Sequence, residues 1–287
     1  MKTILNIPIK SSQHNKPILS DVFYKKNNTK KPVVIFCHGY KGYKDWGAWN
    51  LVANTFANND LFFMKFNFSH NGGTASNPID FPDLEAFGEN NLTLELDDLE
   101  DAIAWVISNT DFKNEIDFRN ITLIGHSRGG GIVSIKASEN KNITKLISWS
   151  GVSDYGARFP QGELLEIWKK KGVSYVLNSR TNQKMPHLYQ FYQNFKDNED
   201  RLTIKNALSN LNIPHLIIHG DNDEVVLPVE AENMHSWNPN SKLLIIEGMN
   251  HTLGSAQPWE RSIMPQHLEN AVKRSIEFVL DSTLQNK

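Results

Sequence analysis

Six short apolar runs recur along the chain, at residues 33–37, 61–68, 121–124, 146–149, 215–219 and 243–246, each bounded by polar residues or glycine. Unbroken runs of this length suit strands covered on both faces, as in a parallel sheet. Between them the period lengthens. Residues 46–57 place Trp49, Val52, Ala53 and Phe56 on one helical face, and residues 92–107 carry Leu92, Leu96, Leu99, Ile103 and Val106 at spacings of three and four. Residues 128–138 and 261–280 read as further helices, the last with Ile263, Ala271, Ile276 and Val279 among its apolar positions. Strand alternating with helix predicts an α/β fold, a mostly parallel central sheet flanked by helices. Two opening strand-like stretches, 4–9 and 18–24, are joined by a polar turn and suit an antiparallel edge.

Residues 153–209 break the alternation. They show no clear buried strand, yet carry Phe159, Leu164, Trp168, Tyr175, Leu188, Tyr189, Phe191, Tyr192 and Phe195. A connection so long and so aromatic predicts a helical cap insertion rather than a linker. The expected division is a core of residues 1–152 and 210–287 with a cap at 153–209. The cap aromatics suit either the lining of an apolar pocket or the cap's own small core, and Lys169-Lys170-Lys171 suits a solvated helix face.

Composition narrows the function classes. A chain of 287 residues is long enough for one α/β domain with an insertion. Its 30 Lys and Arg against 32 Asp and Glu leave a formal net charge of -2, which provides no field for nucleic acid or an anionic membrane. No stretch of about eighteen apolar residues is present, so no membrane span is expected. The first nine residues alternate and are cut by Pro8, unlike a secretory signal, and the expectation is a cytoplasmic soluble protein. Cys37, the one cysteine, lies in an apolar run, where a buried inert thiol is expected and an intrachain disulfide is impossible.

The chemistry concentrates at Gly125-His126-Ser127-Arg128-Gly129. Gly-x-Ser-x-Gly alone is a modest signal, but here a strand precedes it and a Gly-rich helix start follows, the context of a nucleophile elbow. Such a turn crowds its neighbours, so Gly125 and Gly129 avoid Cβ clashes while the Ser127 hydroxyl projects from the sheet edge. His126 is expected to point away from the serine and serve packing. A serine hydroxyl needs a base, and the base needs a carboxylate to fix its tautomer. Chain order places both downstream, after the last two strands. His251 in Asn250-His251 is the candidate base, and Asp221, Asp223 and Glu224 compete for the acid role with Asp154 a more distant alternative. Oxyanion stabilisation calls for backbone N–H donors. Arg128, next to the serine, supplies one, and Tyr40 in the Gly-rich turn His38-Gly39-Tyr40-Lys41-Gly42 is the candidate for the second.

With these motifs the chain resembles the α/β-hydrolase superfamily over nearly its whole length, in particular the dienelactone-hydrolase and serine-aminopeptidase-like branches that include cinnamoyl and feruloyl esterases. The resemblance rests on His38-Gly39-Tyr40 with Gly42 and Lys44-Asp45, on the elbow, on His219-Gly220-Asp221-Asn222-Asp223-Glu224-Val225-Val226, and on Asn250-His251. It puts the acid at Asp223. Two departures stand out: Ser69-His70-Asn71-Gly72-Gly73-Thr74 replaces an Arg-Gly-x-Gly loop found in many relatives, and Arg128 replaces a common apolar residue.

The expected activity is two-step acyl transfer on a small-molecule carboxylic ester, with Ser127 as nucleophile, His251 as base and then acid, and Asp223 orienting it. No cofactor is expected. The histidines are scattered without metal-ligand spacing, and no phosphate loop or Gly-x-Gly-x-x-Gly turn follows a strand. A serine at the elbow disfavours aspartate-nucleophile dehalogenase chemistry. Peptidase activity and non-catalytic binding on the same fold are the rival readings.

Overall fold

The computed structural model describes residues 1–285. Strands β1 (Lys2–Ile9) and β2 (Ile18–Tyr24) open the chain, followed by β3 (Lys31–Cys37), α1 (Trp49–Asn58), β4 (Phe62–Phe66), α2 (Leu84–Glu89) and α3 (Leu92–Ser108). Then come β5 (Ile116–His126), α4 (Arg128–Glu139) and β6 (Ile143–Trp149). The insertion contributes α5 (Glu163–Lys171), β7 (Val173–Asn178), β8 (Gln183–Leu188), α6 (Gln190–Asp197), α7 (Glu199–Leu202) and α8 (Ile204–Ser209). The chain finishes with β9 (His215–Gly220), α9 (Pro228–Trp237), β10 (Ser241–Ile246) and α10 (Gln266–Leu280).

Eight strands form one sheet in the order β1-β2-β4-β3-β5-β6-β9-β10. The pairings β1/β2 and β2/β4 are antiparallel and the other five parallel, so the antiparallel edge stands where the sequence places it. Strand pleating sends alternate side chains to opposite faces. In β3, Val33, Ile35 and Cys37 join the core under α3 and α4, whereas Val34 and Phe36 join the core under α1 and α10. Both faces are therefore covered, which is why the strands read as continuous apolar runs. No described helix is long and apolar enough to cross a membrane.

Two expectations need correction. The last helix starts at Gln266, not at residue 261, and Ile263 is 72% exposed. The segment ahead of it caps the start of α1 instead: Gly47 N–H donates to Gln257 Oε1 at 2.5 Å and Ala48 N–H to Ser255 Oγ at 3.2 Å. Helix N-termini need such acceptors. The insertion, expected to be purely helical, also holds the antiparallel hairpin β7/β8. Its Tyr175, Val176 and Leu177 are exposed, so this strand lacks the buried signature of the sheet. Gly172, at φ 72°, ends α5 and turns the chain into the hairpin, its N–H returning to Trp168 O at 2.8 Å. Lys169, Lys170 and Lys171 are exposed on the last turn of α5, as expected.

The insertion aromatics do both things the sequence allowed. Phe159 packs against Phe195 at a centroid distance of 5.0 Å and against Phe191 at 5.6 Å. Phe159, Trp168 and Phe191 also face a cavity of about 340 Å³ that has Ser127 in its wall.

Candidate active site

Ser127 sits at the hinge between β5 and α4 with φ 56° and ψ -121°, a conformation costly for a residue with a side chain. Neighbouring packing holds it there. A Cβ on Gly125 would collide with the Gly129 carbonyl, and one on Gly129 would stand 2.6 Å from the Cys37 and His38 carbonyl oxygens. These contacts are the physical reason for the Gly-x-Ser-x-Gly spacing. Ser127 N–H donates to Trp149 O at 3.0 Å, tying the turn to the end of β6.

His251, in the loop after β10, places Nε2 3.0 Å from Ser127 Oγ and Nδ1 2.9 Å from Asp223 Oδ2. A carboxylate accepts, so Nδ1 carries the proton and Nε2 is left as a lone-pair acceptor facing the serine hydroxyl. Asp223 is buried after β9, and its second oxygen, Oδ1, accepts from Val225 N–H at 3.0 Å and Val226 N–H at 2.9 Å. Burial presses this carboxyl upward, but hydrogen bonds from His219 and His251 and from the Val226 N–H outweigh it and hold the group well below the usual carboxylate range. It stays ionised beside the imidazole.

The other acids lie elsewhere. Asp221 accepts Gly248 N–H at 2.6 Å, bracing the β9 and β10 ends, and Asp154 caps a turn through Ala157 N–H at 3.2 Å. Glu224 is exposed. Of the four carboxylates weighed from sequence, Asp223 is the one in contact with His251.

Tyr40 and Arg128 both line the cavity beside Ser127, and their peptide planes are pinned from behind. Gly39 O accepts from Gly42 N–H at 3.0 Å and from His38 Nδ1 at 2.9 Å. Ser127 O accepts from Gly130 N–H at 2.9 Å and Val152 N–H at 3.1 Å. In a planar trans peptide the next residue's N–H points opposite its carbonyl. Fixing the two carbonyls therefore aims the Tyr40 and Arg128 N–H groups away from them, and among the described residues neither N–H has a protein acceptor. Gly39 lies close against the serine, where an added Cβ would be 2.8 Å from Ser127 Cβ.

Several contributors had no sequence signal. His126 does not merely pack: its Nε2 donates to His251 O at 2.8 Å, and its ring lies 5.0 Å from that of His251, tilted by 43°. Burial, reinforced by His251, lowers it to about 3, so it stays a neutral brace. His219 Nε2 shares its one proton between Val226 O at 2.8 Å and Asp223 Oδ2 at 3.4 Å. Below the Tyr40 loop, Lys44 Nζ and Lys65 Nζ each bridge buried Asp21 and partly exposed Asp45 at 2.5–2.8 Å, a quartet joining β2, β4 and the loop. Lys44 N–H adds a bond of 2.6 Å to Asn67 Oδ1.

The Arg128 side chain is held on three sides. Nη1 donates to Glu95 Oε1 of α3 at 3.2 Å, and the guanidinium carbon lies 4.5 Å from the Tyr40 ring centroid and 5.2 Å from that of Phe191. Tyr40 Oη is 2.7 Å from His187 Nε2 on β8, which links the sheet side of the cavity to the insertion.

The arrangement offers a hydroxyl with an adjacent base, a fixed carboxylate behind the base and two open N–H donors. That is the equipment for attack on a carbonyl carbon. No group of three or more His, Cys, Asp or Glu among the described residues is placed to hold a metal ion.

Comparison with known proteins agrees with this fold. A family model described as BD-FAE matches residues 20–237. The structure of Est1E from Butyrivibrio proteoclasticus with ferulic acid bound is similar at a TM-score of 0.69 and 20% identity, covering 96% of this chain and 99% of that one. A dienelactone hydrolase from Anabaena variabilis ATCC 29413 is similar at a TM-score of 0.62 and 14% identity, covering 96% of this chain and 95% of that one. The non-heme chloroperoxidase CPO-A1 of Kitasatospora aureofaciens is 22% identical, over 85% of this chain and 94% of the relative.

Proposed function

The chain belongs to the BD-FAE family of α/β-hydrolases, and from that premise we propose that it is a serine hydrolase cleaving a small-molecule carboxylic ester through an acyl-enzyme. The carrying observation is the position of His251, within hydrogen-bond reach of both Ser127 Oγ and Asp223 Oδ2, in the tautomer a base requires. Ser127 Oγ attacks the ester carbonyl as its proton passes to His251 Nε2. The oxyanion is received by the Tyr40 and Arg128 N–H groups, helped by the positive end of α4. His251 then gives the proton to the leaving alkoxide, and water repeats the sequence on the acyl-enzyme to release the acid.

Asp223 orients the imidazole and offsets the charge it gains. The cavity beside Ser127 is walled by Phe159, Trp168, Phe191, Leu92 and Val152, an environment suited to an apolar or aryl group. The ferulic acid in Est1E is an aryl acid of that kind.

A fluorophosphonate probe tests the reading. Wild type should be labelled and Ser127→Ala should not; equal labelling of both would sink the assignment of the nucleophile. A panel of acyl esters beside aminoacyl anilides then separates esterase from peptidase. Turnover confined to the anilides would overturn the ester reading.

A further inference from the structure

The cavity pairs apolar walls with a cation whose hydrogen bonds are only partly used. Arg128 meets Glu95 through Nη1 alone, a single bond of 3.2 Å where a guanidinium fork can make two parallel ones. Glu95 Oε1 also accepts from Asn90 Nδ2 at 2.7 Å, so Arg128 shares that one oxygen, and Glu95 Oε2 is buried with no partner among the described residues. The rings of Tyr40 and Phe191, at 4.5 and 5.2 Å, lie against the guanidinium, and both rings belong to the cavity wall. Aromatic contacts of this kind hold the group by its face and leave its N–H edge free. The side chain is 17% exposed, and among the described residues Nε and Nη2 have no protein acceptor.

The remaining charge around the cavity points the same way. Its lining holds Arg128 and Arg158 and no carboxylate. Arg158 is paired with Glu230, and His187, lowered to about 4 mainly by burial and then by Arg128, is neutral at pH 7. Of the two cations in the lining Arg128 is the more buried, its side chain 17% exposed against 38% for Arg158, and it sits on the residue that follows the nucleophile. Donors in such a place favour a charged acceptor.

Building on the esterase reading above, we propose that the Arg128 guanidinium is a substrate-recognition site for a carboxylate, so that the preferred substrate is an ester whose apolar acyl group also carries an anionic carboxylate. The backbone N–H of Arg128 serves the oxyanion while its side chain selects the acyl group.

Matched para-nitrophenyl esters test this: pentanoate and hexanoate against hydrogen glutarate and hydrogen adipate, which replace a terminal methyl by a carboxylate. Wild-type kcat/KM should favour the carboxylate-bearing partner by on the order of tenfold or more, the effect of one charge-assisted contact. Arg128→Met should bring the ratio towards one, and Arg128→Lys should retain part of it. A wild-type ratio at or below one for both chain lengths overturns the proposal, as does a ratio that Arg128→Met leaves unchanged. A second measurement needs no variant: adipate should protect wild-type Ser127 from fluorophosphonate labelling at concentrations about tenfold lower than hexanoate, which lacks the second carboxylate. Equal protection also overturns the proposal. Failure of the probe to label Ser127 at all would instead remove the esterase reading and this inference with it.

Discussion

Two regions meet across the cavity and are held by different physics. On the sheet side, around Ser127, Asp223 and His251, polar atoms are fixed by directional bonds: two N–H groups on Asp223 Oδ1, His126 on the His251 carbonyl, two donors behind the Ser127 peptide. On the insertion side, Phe159, Trp168, Phe191 and Phe195 hold one another by ring contacts, and the hairpin beyond them exposes apolar side chains. Ring contacts tolerate substitutions of similar volume, whereas a lost partner leaves a buried polar atom unsatisfied. Changes on the sheet side should therefore alter turnover or folding, and changes in the insertion should alter which substrate is taken.

The sharpest way to break that contrast is Asp223→Asn. An amide donates to His251 Nδ1 and forces the wrong tautomer, so kcat should fall on the order of 10⁴-fold with the fold retained. A loss confined to KM would show that Asp223 is only a structural cap. Acidification asks next how far the sheet side depends on neutral buried groups. His38, His126 and His215 are lowered to about 4, 3 and 3, each mainly by burial. Their folded values lie below the ordinary 6.5, so the stability they contribute is complete above about pH 6.5 and is lost as pH falls towards 4, at about 1.4 kcal/mol per pH unit for each group. Urea midpoints should drop steadily between pH 6.5 and 4.5, and a constant midpoint would contradict these environments.

Lys65→Met probes the quartet under the Tyr40 loop. Removing one cation leaves Asp21 and Asp45 with a single partner, and about 3–5 kcal/mol of unfolding free energy should go. Full stability in urea titration would mean that water replaces the ammonium. The smallest effect belongs to the insertion: Phe191→Leu should keep turnover within about threefold on a short acyl ester while shifting the preference between aryl and alkyl acyl groups by up to about tenfold. If it instead abolished turnover on every ester, the division of labour between the two regions would fail.

The sheet side was also the part legible in the chain. Five strands are legible because both faces are buried, β10 because its apolar run persists at the sheet edge although Ile245 is exposed, and Ser127 because crowding at a positive φ demands small neighbours at fixed offsets. Asp223 was harder. Periodicity could not separate it from Asp221 or Glu224, since the choice depends on backbone conformation that turns Val225 and Val226 N–H onto one carboxylate; the motif of related proteins carried that step. Glu95 left no trace, because a glutamate on α3 reads as a solvated helix position until α4 brings Arg128 to it. The hairpin escapes for the opposite reason: residues 174–177 of its first strand are exposed, and a run such as 173–178 without a buried face resembles irregular chain.

Residue 128 joins the two regions in a way that bears on how such proteins diversify. Its amide is common to every amino acid except proline, whereas its side chain is open to exchange. On the reading proposed here, a one-codon change at this position would retune the charge of the acyl chamber and leave the oxyanion donor in place. Substrate range and reaction chemistry would then drift independently, although both are written at the first residue of the same helix.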